Sequence, residues 1–192
     1  MTPNSTPRKR LTPEARRQHL LDCAVSVYAQ LGVERAGHGD VAKLAGMSTP
    51  TVFNYFPTRK ALTQAVLESV GTYVCQIFEG VEKQESLGER EKLARLAMSF
   101  NQLMDNNVDT AKVLLNWSVS FGPEVRPSYL EFQAQTIDRL SRVLNDRSPH
   151  KTDSRILYGA SLTYATLKLD NTPEETLSEF ITRIIDMVKP HA

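Results

Sequence analysis

The side chains best suited to chemistry in this 192-residue chain lie in Gly46-Met-Ser-Thr-Pro-Thr-Val-Phe-Asn-Tyr-Phe-Pro-Thr-Arg59. The chemistry they suit is recognition of a base edge. The Asn54 amide can bond adenine N6 and N7 bidentately, the Thr51 hydroxyl and the Tyr55 phenol can reach a base or a phosphate, and the Pro50 ring offers apolar surface. Catalytic sets are not legible. His19, His38, His150 and His191 are scattered, neither a Ser-His-Asp nor a Cys-His arrangement can be read, and no Gly-rich phosphate loop is present. Cys23 and Cys75 fall on apolar stripes with no metal-ligand spacing, which reads as small buried hydrophobes, and no cofactor is implied.

These side chains need a short helix to carry them. Gly46 suits a turn with positive φ, Ser48 can cap the next helix, Pro50 in its first turn needs no backbone donor, and Pro57 forbids continuation past Phe56. The result is a helix of about two turns starting near Thr49. Helical spacing puts Ser48, Thr49, Val52, Phe53 and Phe56 on one face, partly apolar and suited to packing, and Pro50, Thr51, Asn54 and Tyr55 on the other. Upstream, residues 38–45 form a short helix whose Val41, Ala42, Leu44 and Ala45 can pack on the next, with a tight turn between them, the layout of a helix-turn-helix. A longer helix opens at Thr12-Pro-Glu-Ala, carries an apolar stripe of Leu20, Ala24, Val27, Tyr28 and Leu31, and ends at Gly32.

Together these features resemble the DNA-binding domain of the TetR family: Gly32-Val33, Asp40-Val-Ala, Ala45-Gly-Met-Ser and Val52-Phe-Asn-Tyr-Phe-Pro-Thr-Arg-Lys-Ala-Leu62. Gly37-His-Gly-Asp-Val-Ala and Thr51-Val-Phe-Asn-Tyr-Phe-Pro-Thr-Arg59 look like one branch, the quorum-sensing master regulators of the HapR and LuxR type. Most TetR relatives have tyrosine where this chain has Phe53, so a phosphate-contacting hydroxyl is missing there, a departure the branch shares. The resemblance implies a dimeric, sequence-specific DNA-binding transcriptional regulator and not an enzyme. The contacts expected with DNA are Arg8, Arg10, Ser48, Thr49, Pro50, Thr51, Asn54, Tyr55, Arg59 and Lys60, and the expected partner is a palindromic double-stranded operator.

Charge agrees with this placement. The chain carries a formal net charge of +1, yet residues 1–60 hold nine Lys or Arg against four Asp or Glu, and the remainder is acidic. The densest basic run is Arg8-Lys9-Arg10, with Arg16 and Arg17 following. Such a run lies in a minor groove as an arm or stays a solvated tail, and Arg8 and Arg10 are the groove candidates. The arm also resembles the Arg-x-Arg-Leu-Ser/Thr-Pro arm of the branch.

Beyond Arg59 the pattern stays helical and no alternating strand pattern appears. Helices are predicted near 59–81, 89–105, 109–121, 126–146, 152–169 and 173–188, with Leu130, Ile137, Leu140 and Leu144 striping the fourth. Thr172 and Glu175 read as a capping box over Pro173. The expected fold is all-α: a basic arm at 1–11, a helix-turn-helix domain at 12–58, and a regulatory and dimerisation bundle at 59–192. Ile156, Gly159, Ala160, Thr163, Leu177, Phe180, Ile181, Ile184 and Val188 give the last two helices apolar faces, which serve either a dimer or the chain's own core. In TetR-like proteins the final two helices of each subunit form a four-helix bundle, so the resemblance implies a homodimer.

Asn116-Trp-Ser-Val-Ser120 and Glu124-Val-Arg-Pro127 also resemble the branch, and Trp117, Phe132 and Gln133 line either a pocket for a small lipophilic ligand or ordinary core. A local repressor released from DNA by such a ligand is the nearest alternative. A helical enzyme and a protein-docking module are remoter ones. No run of about 18 apolar residues exists to span a membrane, and the basic N-terminus lacks an apolar segment after it, so no membrane partner and a cytoplasmic location are expected.

Overall fold

The computed structural model describes residues 12–188. Among them are nine α-helices and no strand: α1 (Pro13–Leu31), α2 (His38–Ala45), α3 (Thr49–Tyr55), α4 (Arg59–Glu82), α5 (Glu89–Asn106), α6 (Val108–Ser118), α7 (Arg126–Val143), α8 (Thr152–Leu169) and α9 (Glu174–Met187). The all-α expectation is met. Thr12 accepts a hydrogen bond from the Ala15 amide, and Pro13 follows at a position that needs no donor. Gly32, at φ 82°, turns the chain out of α1.

Leu20, Ala24, Val27 and Tyr28 bury the inner stripe of α1 against α2, α4 and α6, and the Tyr28 hydroxyl lies 2.8 Å from Thr63 Oγ1 on α4. Leu31, expected in that stripe, is exposed because it is the last helical residue before the chain turns away at Gly32. The α4 helix buries Leu62, Val66, Val70, Val74 and Phe78, so one continuous apolar core runs from the first three helices into the bundle. A smaller core of Met104, Ala111, Tyr164, Ala165 and Leu177 joins α5, α6, α8 and α9.

Several boundaries differ from the sequence expectation. The sixth helix stops at Ser118, where the Ser118 and Ser120 hydroxyls donate back to the Leu115 and Asn116 carbonyls, which leaves Phe121 exposed beneath the Arg126 guanidinium. The seventh ends at Val143, since Asn145 adopts φ 50° and the Asp146 amide closes on the Ser141 carbonyl. Leu130 is exposed on α7, where Tyr129 and Phe132 face inward instead. The capping box at Thr172 and Glu175 does not form: Pro173 occupies the cap position of α9 and no side chain caps it.

Two residues expected at a dimer surface belong to the chain's own interior. Leu177 is buried in the smaller core with Met104 and Tyr164, and Val188 closes the main core. Phe180, Ile181 and Ile184 are half-buried and line a partly open apolar pocket, as does Ala160. On α8, Ile156, Gly159 and Thr163 remain exposed along one face, with nothing within 4 Å of where a Cβ on Gly159 would sit.

Candidate nucleic-acid interface

Two helices and a left-handed glycine build the interface. Gly46 takes φ 64° and ψ 33°, and the Met47 amide bonds the Ala42 carbonyl, which closes α2 and releases the chain toward α3. Ser48 then caps α3 by accepting from the Thr51 amide, and its hydroxyl also meets Thr51 Oγ1 at 2.8 Å. At the far end Thr58 accepts from the Ala61 amide and starts α4 two residues after α3's cap. The expected two-turn element is thus present with the stops assigned to it.

The orientation of α3 is set by Val52 and Phe56, which are buried, and by the Arg17 guanidinium 5.2 Å from the Phe56 ring centre. Tyr55 is half-buried against the same core. The outward stripe is therefore Pro50, Phe53 and Asn54, flanked by half-buried Thr49 and Thr51 and by exposed Ser48. This corrects the face assignment at both aromatics: Phe53 is outside, and Tyr55 packs. Leu44 on α2 is likewise exposed, at 52%, while Val41 and Ala42 supply the packing.

His38 accounts for the position of Phe53. The histidine is buried, its Nε2 donates to the Phe56 carbonyl at 2.7 Å, and its ring lies flat on Phe53 with centroids 3.9 Å apart and planes 5° apart. A carbonyl can only accept, so Nε2 carries the hydrogen. Reasoning from sequence missed this residue, and the available signal was its place at the first position of α2, directly after Gly37.

Arg59 and Lys60 open α4 on the exposed surface. The Arg59 guanidinium donates to the carbonyls of Ala36 and Glu34, so it fastens the loop between α1 and α2 rather than standing free. Arg16 and Arg17 lie in the first two turns of α1. Arg8 and Arg10 lie outside the described residues.

Beside this interface, α4, α7 and the loop joining α6 to α7 enclose an open cleft of about 1230 Å³, lined in part by Thr63, Leu67, Cys75, Trp117 and Phe132. Trp117 stacks on Phe132 at 5.0 Å and meets Tyr129 edge-on at 5.8 Å, and its buried Nε1 has no hydrogen-bond partner. The expected trio is only partly assembled. Gln133 turns aside to the Tyr129 hydroxyl, and Gln135 lines the cleft instead. Further along the bundle a second, apolar pocket of about 130 Å³, itself partly open, is bounded by Phe78, Leu96, Phe100, Tyr158, Phe180 and Ile184 among others. Burial and its bond with Tyr129 push the Tyr158 phenol well above its ordinary range, which keeps that wall neutral. Among the described residues no group of three or more His, Cys, Asp or Glu could hold a metal ion, and no helix is long and apolar enough to cross a membrane.

Residues 20–66, which include the whole of α2 and α3, match the family model described as bacterial regulatory proteins, tetR family. The HTH-type transcriptional regulator LuxR of Vibrio harveyi is 36% identical over 124 residues, covering 65% of this chain and 60% of LuxR, so the match spans about three fifths of that relative's length. A TetR-like transcriptional regulator from Rhodococcus sp. RHA1 superposes with a TM-score of 0.79 at 19% identity, covering 93% of this chain and 96% of its own. The regulator FadR from Bacillus subtilis, in complex with stearoyl-CoA, gives 0.72 at 18% identity, over 89% and 96%. At those identities the structures speak for the fold, and the sequence matches speak for ancestry. A reading helix bounded by Ser48 and Pro57, the tetR-family match over residues 20–66, the likeness to LuxR and the superposition on TetR-like regulators agree with one another: the chain carries a tetR-family segment at its N-terminus and has the fold of TetR-like regulators.

Proposed function

We propose that this protein is a homodimeric transcriptional regulator that binds a palindromic operator, with α3 of each subunit in the major groove. The observation that carries the proposal is the outward stripe of Pro50, Phe53 and Asn54, set on a helix whose other side is anchored by buried Val52 and Phe56. Asn54 reads an adenine, Ser48, Thr49, Thr51 and Lys60 meet backbone or base edges, and Tyr55 and Arg59 hold the reader in place. Residues 1–11 act as a minor-groove arm through Arg8 and Arg10, residues 12–58 as the reader, and residues 59–192 as the dimerisation and regulatory unit. The exposed α8 face of Ile156, Gly159 and Thr163 supports the dimer contact, with small residues that allow close helix approach. Relatedness to LuxR supports a quorum-sensing-type role over many promoters.

The test is an electrophoretic mobility shift on fragmented genomic DNA at several salt concentrations. Retention of a defined subset of fragments, with log affinity falling linearly in log salt, is the expected outcome. Uniform retention of all fragments, or none, contradicts it.

A second reading has its own observation. The apolar pocket, which shares Phe132 with the cleft that Trp117 lines, favours a lipophilic ligand that releases DNA, as would suit a fold shared with a protein captured with stearoyl-CoA. Fluorescence of Trp117 titrated with fatty acids and acyl-CoA, with operator present and absent, checks it. A saturable change that operator opposes supports this reading, and a flat titration removes it.

A further inference from the structure

Phe53 is the large apolar side chain that α3 leaves exposed, at 45%, and it is held rather than loose. One face of its ring rests on the imidazole of His38, 3.9 Å away and nearly parallel. That imidazole is 6% exposed and cannot rotate freely, because its Nε2–H is bonded to the Phe56 carbonyl at 2.7 Å. Phe56 is itself buried, and Pro57 behind it brings no amide that would compete for a nearby acceptor. The three residues form a chain of constraint: buried Phe56 fixes His38, His38 fixes Phe53, and Phe53 presents its free half to the outside of the helix beside Asn54.

A fixed apolar ring without a hydroxyl has a narrow choice of targets in a major groove. It cannot bond a phosphate or a base nitrogen. The base-edge feature it complements is the C5-methyl of thymine, the one apolar group that edge carries. We propose that Phe53 is a specificity-determining residue that packs on a thymine methyl adjacent to the base read by Asn54, and that His38 is the positioning residue that sets its ring. The proposal rests on the DNA-reading function argued above and assigns it a second base preference. Preorganisation matters here because an exposed phenylalanine free to turn would have to lose that freedom on binding.

The test uses the full chain and an operator recovered by selection from random duplexes, with each thymine of a half-site replaced in turn by uracil, which deletes only the methyl. Wild-type protein is expected to lose about fourfold in affinity at one step, the ratio that burial of a single methyl-sized group corresponds to. Phe53→Ala should bind more weakly and become indifferent to uracil at that step, while keeping its discrimination at the adenine step. His38→Leu, which retains bulk but cannot donate to Phe56, should show a reduced uracil effect at the same step. Should His38→Leu fail to fold, Phe53→Ala at an exposed position still decides the matter. Selective binding with no uracil effect at any step, or an unchanged uracil effect in Phe53→Ala, would overturn this inference alone. Failure to select any operator would overturn both it and the DNA-reading function.

Discussion

Asn54 stands on the outward stripe of α3 with its amide free of any neighbour in the subunit that the fold needs. Replacing it tests reading without disturbing packing. Asn54→Ala should lose about 1–3 kcal/mol of discrimination at one base step and leave thermal stability unchanged, checked by competition binding with operators substituted at each position. The bounds and caps of α3 were legible in the sequence because Ser48, Pro50, Pro57 and Thr58 act within three or four residues of themselves. The face was not, because Phe53 and Tyr55 are both aromatic rings two residues apart in a two-turn helix, and their choice between core and solvent is made by His38 and by the core under Tyr55. Periodicity has no access to either partner. Arg59 shows the same limit: its type suits a phosphate, and its carbonyl partners are 23 and 25 residues upstream.

At the scale of elements, helix positions came through because apolar stripes and glycine or proline stops are local, and helix ends came through less well. The end of α7 depends on Asp146, whose carboxylate accepts from the Ser148 amide at 3.0 Å and from the Ser154 hydroxyl at 3.0 Å, tying α7 to α8. Burial pushes this carboxyl upward, but the hydrogen bonds from Ser148 and Ser154 prevail and hold it below its ordinary value of 3.8. A carboxyl depressed on folding adds stability above its unfolded value, and that addition disappears as pH falls through the folded value. Asp146→Asn should therefore cost about 1–3 kcal/mol at neutral pH, and the difference from wild type should shrink below about pH 4, measured by urea denaturation across pH. The face of α9 was misread for a related reason. Its stripe is apolar all along, and Leu177 went inward onto the smaller core shared with α5, α6 and α8, while Val188, just past the helix, joined the main core.

For the whole molecule, assembly is the property that joins the two ends of the chain. Ile184 is the poorer test of it, since it is half-buried along an apolar pocket and a charge there would also meet the subunit's own side chains. Gly159 is exposed with open space around it, so Gly159→Glu fits the monomer and burdens only a partner. Sedimentation should show a folded monomer with weakened operator binding, because an unpaired charge in a helix bundle costs several kcal/mol. Deleting residues 1–10 should leave the dimer intact and flatten the dependence of log affinity on log salt, read by fluorescence anisotropy at four or more salt concentrations.

The central claim is that two copies of α3, set by one dimer, read one palindrome. Affinity selection of wild-type protein over fully random duplexes, followed by sequencing, tests it most directly. The predicted product is a pair of inverted half-sites, each with a preferred adenine step, centred one helical turn or a multiple apart, about 10 base pairs per turn. Enrichment of a single unrepeated motif, or of no motif at all, would contradict the account.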